Sequence, residues 1–242
     1  PNHFGSKKHN VVTVSSPIAT QLPHAAGCAY AMKIQKEQSV ALAYFGDGAS
    51  SEGDFHAALN FASVYKAPCI FFCRNNGYAI STSLSSQFSS NGIYPKGAAY
   101  DMIAFKIDGN DFFAIHETVQ KARKLCLEGK GPILIEAMTY RLGPHSTSDD
   151  PSQYREDAET EKWKEKSPIK RLKLFLTKKK IWDDTKEESF RNEIKKKIDR
   201  AIEEARSAGS PSLNTLFEDV YFEIPASLQK QYDDLKIHFP EA

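Results

Sequence analysis

Two short apolar runs, each ending in a cluster of acidic or amide side chains, constrain the fold of this chain most strongly. Residues 40–45 lead into the triplet G-D-G at 46–48, and residues 68–73 lead into R-N-N-G at 74–77. Short apolar runs bounded by glycine are typical of buried β-strands. Both polar clusters therefore fall at strand ends, which is where ligands bind in open α/β sheets.

The side chains at these two strand ends suit a metal-bound diphosphate. Asp47 offers a carboxylate and Asn76 an amide oxygen, and Mg²⁺ binds few such protein oxygens and completes its shell with water and phosphate. Gly46 and Gly48 let the backbone come close to a bulky anion. A helix predicted to begin near Ser51 directs its N-terminus at the same place, which favours a diphosphate. A lone G-D-G is an ordinary turn, so the prediction depends on both clusters together.

Apolar runs alternate with helical patterns through the first part of the chain, which predicts a doubly wound parallel sheet with flanking helices. The predicted strands cover residues 10–14, 40–45, 69–73, 103–107 and 132–140. The predicted helices cover residues 18–35, 51–65 and 112–127. The polar segments 76–97 and 141–156 are predicted loops.

The character of the sequence changes after the second loop. Charged helical patterns cover residues 160–177, 186–208 and 226–236, and residues 216–223 are predicted as a strand or an extended arm. We therefore expect an α/β domain at 1–157 and a helical extension at 158–242 that packs on the domain and on partner subunits. The extension carries no evident chemistry.

Composition excludes several classes of function. The 242 residues carry a net charge of +1 with 40% hydrophobic residues, which gives no electrostatic case for nucleic acid or a membrane surface. No apolar stretch is long enough to span a bilayer. The four cysteines lack paired zinc spacing, so we expect buried, reduced thiols and a reducing compartment. Because the chain begins without an initiator methionine and almost at a predicted strand, we expect a part of a longer protein.

Two further groups of residues are less specific on their own. His145 lies in the 141–156 loop, which leaves the carboxyl end of a strand, and it is the loop's one strong acid–base candidate. A lone histidine in a loop is more often simply exposed. Ser15, Thr20 and Gln21 are clustered oxygen donors at a strand-to-helix junction, and by themselves they favour helix capping.

Several segments together resemble the alpha subunits of branched-chain 2-oxo acid dehydrogenases, the thiamine-dependent decarboxylating component of a mitochondrial multienzyme complex. The resemblance covers nearly the whole chain as the C-terminal part of that subunit. The segments are YFGDGASSEGD at 44–54, FFCRNNGYAIST at 71–82, IDGND at 107–111, LIEAMTYR at 134–141 and HSTSDD at 145–150. It implies the thiamine diphosphate-binding fold and oxidative decarboxylation of branched-chain 2-oxo acids, that is, a 3-methyl-2-oxobutanoate dehydrogenase activity.

The resemblance also implies roles for individual residues. Magnesium ligands would be Asp47, Asn76 and the carbonyl of Tyr78, although the family usually has glutamate where Asp47 stands. Thiamine diphosphate contacts would come from Ser16, Ile18, Gly46, Asp47, Gly48, Ala49, Arg74, Asn76, Tyr78 and His145. A structural potassium site would be formed by Ser15, Pro17, Thr20 and Gln21, which replaces the capping interpretation.

The resemblance further implies regulation and assembly. His145 would be the catalytic histidine that serves cofactor binding and acyl transfer to lipoyl, and Ser146 would be the phosphorylation site, with a second family phosphoserine replaced by Glu156. Arg141, Asp149, Tyr154 and Arg155 match residues that order the loop. Expected partners are a beta subunit in an α2β2 heterotetramer, a lipoyl-bearing acyltransferase core, a kinase and a phosphatase, in the mitochondrial matrix.

Two alternatives remain open from the sequence. A pyruvate dehydrogenase alpha subunit typically continues H-S-M-S-D-P in the loop and has E-N-N in place of R-N-N, and this chain departs from both patterns. A non-catalytic scaffold is the other alternative.

Because the family's catalytic glutamate comes from the beta subunit, the chain alone is expected to bind cofactor weakly and to be inactive.

Overall fold

A computed structural model describes residues 3–218 and 220–239 of the chain. The chain divides into two compact units, Pro1–Lys178 and Lys179–Ala242. Two helices that follow the predicted boundary at residue 157 fall within the first unit. The assignment of a cofactor-binding domain to 1–157 and of an extension to 158–242 stays a prediction.

The described residues of the first unit form an α/β structure. Its helices are α1 (Gln21–Ile34), α2 (Gly53–Val64), α3 (Leu84–Gln87), α4 (Phe112–Leu127), α5 (Asp157–Lys164) and α6 (Pro168–Lys178). Its strands are β1 (Ala41–Gly46), β2 (Cys69–Asn75), β3 (Tyr78–Ala79), β4 (Thr82–Ser83), β5 (Ile103–Asp108) and β6 (Ile133–Met138). Short 3₁₀ helices cover Lys7–His9, Gly48–Ser51, Tyr94–Tyr100 and Pro151–Gln153.

The main sheet is parallel and has the strand order β1-β2-β6-β5. Its two faces bury separate apolar clusters, because side chains alternate between faces along each strand. Phe71 and Leu134 pack with Leu59 of α2 on one face, whereas Ile70 and Ile135 belong to the cluster beneath α4 on the other. The predicted doubly wound sheet is therefore confirmed.

The second unit is helical in its described residues. It contains α7 (Asp184–Ser207), a 3₁₀ helix at Leu213–Leu216 and α8 (Ala226–His238). Residues 216–223 form no strand in the part that the structure describes, and residue 219 lies outside that part. Among the described residues, none of the helices combines the length and apolar character that crossing a membrane requires.

The predicted strand at residues 10–14 is wrong. All five residues are described, and within them only Val11 pairs, through an isolated antiparallel bridge to Ser6. Val12 and Val14 are exposed, so these β-branched residues have no sheet to pack against. The first helix also begins at Gln21 rather than at residue 18, since Ala19 adopts a left-handed φ of +70° that an α-helix does not accommodate.

Three other sequence expectations need correction. The predicted loop 76–97 contains the antiparallel β3–β4 hairpin, helix α3 and the start of a 3₁₀ helix. The predicted single helix 160–177 is divided into α5 and α6, because Pro168 cannot continue the preceding helix and instead begins the next one. Cys28 is exposed on α1, whereas Cys69, Cys73 and Cys126 are buried and free as expected.

Candidate functional site

Asp47 lies at the carboxyl end of β1, where the chain turns into the 3₁₀ helix Gly48–Ser51. Its side chain is only 1% exposed. One carboxylate oxygen, Oδ1, accepts a hydrogen bond of 3.2 Å from the backbone N–H of Asn76, and Oδ2 accepts one of 2.9 Å from Nε2 of Gln87. Both donors are neutral, and within the described part of the chain the carboxylate forms no ion pair. A buried acid without a cation is an unusual arrangement that points to a positively charged ligand.

Asn75, the last residue of β2, and Asn76, which follows it, shape the turn beside Asp47. Oδ1 of Asn75 accepts a hydrogen bond of 3.0 Å from the N–H of Gly77, and Oδ1 of Asn76 accepts one of 3.1 Å from the N–H of Tyr78. Gly77 has a φ of +89°, which favours glycine. The turn therefore holds Asn76 and the backbone of Tyr78 next to the end of β1.

Glu136, which the sequence reasoning passed over, supports this turn from inside the sheet. Its carboxylate is fully buried on β6. Oε1 accepts hydrogen bonds of 2.6 Å from Nδ2 of Asn75 and 3.0 Å from the N–H of Ile93, and Oε2 accepts one of 2.9 Å from the N–H of Tyr94. The signal was available, because Glu136 is the lone acid within the apolar run 132–140.

Gln87 is the second site residue that the sequence did not reveal. It lies at the end of α3, a short helix inside the segment predicted to be a loop. Besides donating to Asp47, its Nε2 lies 3.4 Å from the carbonyl of Thr82. Nothing in a serine-rich segment marks one glutamine as a neighbour of a carboxylate 40 residues earlier in the chain.

The glycines beside Asp47 differ in what surrounds them. A Cβ atom added to Gly48 would lie 2.9 Å from Cβ of Ala79, so the β3–β4 hairpin already occupies that space. A Cβ atom added to Gly46 would meet no heavy atom within 4 Å. Ala49 is buried, and Arg74, whose position pairs with Gly46 in the β1–β2 register, is exposed with no hydrogen bond or ion pair among the described residues.

The residues of the predicted potassium site lie around the left-handed residue Ala19. The hydroxyl Oγ1 of Thr20 lies 2.9 Å from Oγ of Ser15 and 3.1 Å from the carbonyl oxygen of Pro17. Gln21 is directed towards the sheet, where its Nε2 donates a hydrogen bond of 3.0 Å to the carbonyl of Tyr44. Two oxygens, from Ser15 and Pro17, therefore lie within hydrogen-bond distance of the Thr20 hydroxyl oxygen.

The two predicted cofactor contacts in the same segment, Ser16 and Ile18, are exposed. The Ser16 hydroxyl is hydrogen-bonded to the His3 ring, and the Ile18 side chain is 64% exposed. In the described part of the chain neither side chain hydrogen-bonds to Asp47 or Asn76, so their role as cofactor contacts stays a prediction.

The 141–156 loop is fixed by a short chain of hydrogen bonds. Nη2 of Arg141 donates to the carbonyl of Ile80 at 2.6 Å and to the phenol oxygen of Tyr154 at 2.9 Å. The Tyr154 hydroxyl donates to Oδ2 of Asp149 at 2.7 Å, and the same oxygen accepts the backbone N–H of His145 at 2.7 Å. These bonds, the one from the His145 N–H first, hold the pKa of the Asp149 carboxyl below its ordinary value.

This network ties the loop to the β3–β4 hairpin, since Ile80 lies between the two strands. Arg155 adds hydrogen bonds to the carbonyls of Arg141, Leu142 and Gly143. The side chains of His145 and Ser146 remain exposed, and the Ser146 hydroxyl is 3.2 Å from that of Ser148. The four residues matched to loop ordering, Arg141, Asp149, Tyr154 and Arg155, thus form one connected set.

Tyr78 connects the hairpin to α5. Its hydroxyl donates a hydrogen bond of 2.9 Å to Oε2 of Glu159. Burial, and then the bond and charge of Glu159, raise the pKa of Tyr78 to about 12. The phenol is therefore neutral at physiological pH and positions the turn rather than acting as an acid.

The geometry thus brings together three of the predicted metal ligands, Asp47, Asn76 and the backbone of Tyr78. Arg141 brings the loop that carries His145 against the same hairpin. The His145 side chain makes no hydrogen bond to either Asp47 or Asn76 within the described residues. The class defined so far is an α/β protein with a buried carboxylate at the carboxyl edge of an open parallel sheet, where ligands bind.

Comparison with known proteins identifies the family. The sequence profile described as "Dehydrogenase E1 component" matches residues 1–214, and the chain belongs to that family. A 2-oxoisovalerate dehydrogenase subunit alpha, mitochondrial, from Caenorhabditis elegans is 49% identical over 100% of this chain and 56% of its own length. The protein of the same name from Homo sapiens is 47% identical over 98% of this chain and 54% of its own length.

The chain therefore spans about half the length of the curated relatives it matches. Among solved structures, transketolase from Campylobacter jejuni is similar with a TM-score of 0.46 and 23% identity over 51% of this chain and 20% of its own. That similarity is too weak to support an inference.

Proposed function

We propose that this chain is the cofactor-binding part of a thiamine diphosphate-dependent alpha subunit that decarboxylates branched-chain 2-oxo acids oxidatively and passes the acyl group to lipoyl. The observation that carries the proposal is the buried, cation-free carboxylate of Asp47 beside the Asn76 turn. The names of the relatives, 2-oxoisovalerate dehydrogenase subunit alpha, support the substrate class.

The residues present fit a magnesium ion bound to a diphosphate. Asp47 supplies a negative charge that its neutral neighbours leave uncompensated, and Asn76 and the Tyr78 carbonyl add neutral oxygens, a ligand set typical of Mg²⁺. No group of three or more His, Cys, Asp or Glu side chains with metal-binding geometry occurs among residues 3–218 and 220–239. A site that relies on one carboxylate and on phosphate oxygens is consistent with that finding. Gln87 would have to move its amide nitrogen away from Oδ2 when the ion binds.

The diphosphate would lie over Gly46 and Gly48. Space above Gly46 is open, whereas Ala79 fills the space beside Gly48, so the fit to an anion is better at the first glycine. Arg74 is exposed in the adjacent register and would donate charge-assisted hydrogen bonds to phosphate oxygens. We assign Ala49, Ser16 and Ile18 as further cofactor contacts on the basis of the resemblance.

A potassium ion fits the oxygens around Thr20. The hydroxyl oxygen of Thr20 lies 2.9 Å from the Ser15 hydroxyl oxygen and 3.1 Å from the Pro17 carbonyl oxygen, so three neutral oxygens lie close together. Such a group of oxygens can bind a cation once the two hydroxyl protons turn away from it. Gln21 keeps its Oε1 available, because its bond to Tyr44 uses the nitrogen.

The remaining roles belong to the loop. When bound, thiamine diphosphate supplies the electron sink for decarboxylation. We assign His145 to cofactor binding and to acyl transfer, with Arg141, Asp149 and Tyr154 holding its backbone in place. A phosphate on Ser146 would add about −1.5 to −2 charges beside this loop and would inhibit binding of an anionic cofactor.

The proposed partners are a beta subunit in an α2β2 heterotetramer, a lipoyl-bearing acyltransferase core, and a kinase and phosphatase that act on Ser146. The beta subunit would provide the glutamate that activates the cofactor. The relatives' names include the word mitochondrial, which supports a location in the mitochondrial matrix.

Calorimetric titration tests the proposal. Thiamine diphosphate with Mg²⁺ is titrated into the full-length protein assembled with the beta subunit, in wild-type form and as Asp47→Asn. The control is Asp54→Asn, which removes the same charge from an exposed position on α2. We expect Asp47→Asn to abolish measurable binding and Asp54→Asn to leave it unchanged. Equal binding by all three proteins, or none by the wild type, would refute the site.

Steady-state kinetics then tests the substrate class. We expect the assembled wild-type protein to give a higher kcat/KM for 2-oxoisovalerate than for pyruvate. The reverse order would favour a pyruvate dehydrogenase, and turnover by the chain without the beta subunit would refute the proposed division of labour.

A further inference from the structure

Glu136 is a buried charge for which neither the resemblance nor the family relationship supplies a role. It lies on β6, in the centre of the sheet between β2 and β5, and is fully buried. Its three hydrogen-bond partners are all N–H donors, from Asn75, Ile93 and Tyr94. Both carboxyl oxygens of Glu136 therefore act as hydrogen-bond acceptors inside the sheet.

The space for this carboxylate depends on a glycine at position 92. Gly92 has a φ of +95°, and a Cβ atom there would lie 2.8 Å from both Glu136 oxygens. A side chain at that position is therefore excluded on both conformational and steric grounds. The backbone of residues 92–94 wraps around the carboxylate and leaves it no route to solvent.

This arrangement fixes the side chain of Asn75 at the end of β2. Because Nδ2 of Asn75 donates to Glu136 at 2.6 Å, the amide is oriented with Oδ1 towards the N–H of Gly77, at 3.0 Å. That second bond closes the turn that places the N–H of Asn76 on Oδ1 of Asp47. Without an acceptor at position 136, no hydrogen bond fixes the orientation of the Asn75 amide. The turn then loses the bond from the Gly77 N–H to Asn75, one of its two asparagine hydrogen bonds.

We propose that Glu136 is a positioning residue for the Mg²⁺-diphosphate site: through Asn75 it sets the Asn76–Tyr78 turn that presents the metal ligands, without touching metal or substrate. The inference rests on the proposed function. Partners that orient metal ligands from behind typically change metal affinity or activity about 10–100-fold when they are removed.

The test uses the full-length protein assembled with its beta subunit and measures the Kd of thiamine diphosphate at fixed Mg²⁺ by calorimetry. Glu136→Gln removes the charge and turns one acceptor into a donor that faces other donors. The control is Ile135→Val, a buried neighbour on the same strand that faces the other apolar cluster and lies outside the hydrogen-bonded set. We expect Kd to rise at least about tenfold in Glu136→Gln and to change less than about twofold in Ile135→Val, with the KM for 2-oxoisovalerate unchanged in both.

A reciprocal exchange separates positioning from stability and covers the case in which Glu136→Gln folds poorly. Asn75→Asp places two carboxylates about 2.6 Å apart, so we expect it to weaken cofactor binding too. The double variant N75D/E136Q restores a donor–acceptor pair between positions 75 and 136, and we expect it to recover part of the affinity lost by either single variant. A Kd for Glu136→Gln equal to that of Ile135→Val, or no recovery in the double variant, would overturn the inference. Wild-type protein that fails to bind cofactor would instead refute the proposed function and, with it, this role.

Discussion

Alanine substitutions at three glycines near Asp47 separate the space used by the protein from the space proposed for its cofactor. Gly48→Ala puts a methyl group 2.9 Å from Cβ of Ala79. Carbon atoms in contact prefer about 3.5–4.0 Å, so the hairpin must shift by roughly 0.6–1.1 Å. Such overpacking costs about 1–3 kcal/mol, offset by about 0.4–1 kcal/mol because alanine restricts the unfolded chain.

For Gly48→Ala this leaves a net loss of up to about 2.6 kcal/mol of unfolding free energy, with a midpoint of about 1.3 kcal/mol, which corresponds to a Tm up to about 10 °C lower for a unit of this size. Gly46→Ala meets no protein atom within 4 Å, so the cofactor-free protein should unfold at the wild-type temperature or slightly above it. Its methyl group would occupy the space proposed for the diphosphate, and we expect cofactor Kd to rise at least about tenfold, or 1.4 kcal/mol.

Gly53→Ala is the matched control, because its added methyl group also meets no atom within 4 Å but lies in the first turn of α2. We expect it to retain both stability and cofactor affinity. Thermal unfolding without cofactor and calorimetric titration with thiamine diphosphate and Mg²⁺ measure the two quantities separately. If Gly46→Ala lowers Tm as much as Gly48→Ala, or binds cofactor as the wild type does, the assignment of the open space to a diphosphate is refuted.

Three further outcomes follow from the structure. Tyr154→Phe removes the hydroxyl that bridges Asp149 and Arg141, so backbone hydrogen exchange at His145, measured by mass spectrometry, should accelerate; unchanged exchange would show that the hydroxyl does not order the loop. Cys28 alone of the four cysteines is exposed, and burial raises the pKa of the others, so native protein at pH 8 should show one fast-reacting thiol per chain with Ellman's reagent in this part of the sequence. The pKa of Tyr78 is about 12 in the folded protein and near 10 in the unfolded chain, so its contribution to stability is complete below about pH 10 and is lost as pH rises through about 12. Tyr78→Phe should therefore flatten the alkaline part of the curve of unfolding free energy against pH. An unchanged curve would contradict the role of burial.

The parts of the fold that were predictable depend on local patterns. Helix α4 has the predicted bounds 112–127, because Asp111 caps it with hydrogen bonds of 2.9 and 3.1 Å to the N–H groups of Phe113 and Ala114. The strands of the main sheet were predictable for the same reason, since each is a short apolar run. The two central strands, β2 and β6, are buried almost throughout, whereas the edge strands β1 and β5 are partly exposed. The strand at 10–14 failed because β-branched residues extend a chain but do not supply a neighbouring strand.

The candidate site was predictable only for residues whose chemical type and position at a strand end indicate a ligand-binding role. Asp47 and Asn76 stand at strand ends, so parallel topology alone brings them to one edge. Gln87 donates to Asp47 across 40 residues of sequence, and Glu136 accepts from Asn75, the neighbour of Asn76, across 61 residues. Such pairs depend on which segments the fold places side by side. The hairpin after Asn76 could not be predicted from alternating apolar residues, because its two strands have only two residues each. The turn and the hydrogen bond from Arg141 hold it in place.

The buried carboxylate of Asp47 should lower the stability of the cofactor-free protein and raise the affinity for the cofactor. The substitution Asp47→Asn tests both effects. In Asp47→Asn the amide oxygen still accepts the N–H of Asn76, and its nitrogen can donate to Gln87 once the Gln87 amide turns over. Both hydrogen bonds survive while an uncompensated buried charge disappears, so the cofactor-free protein should gain about 0.5–2 kcal/mol of stability. In saturating Mg²⁺ and thiamine diphosphate the order should reverse, because only the wild type gains stability from binding. Thermal unfolding with and without cofactor measures this crossing, and an Asp47→Asn protein that is less stable under both conditions would show that the carboxylate serves the fold rather than a cation.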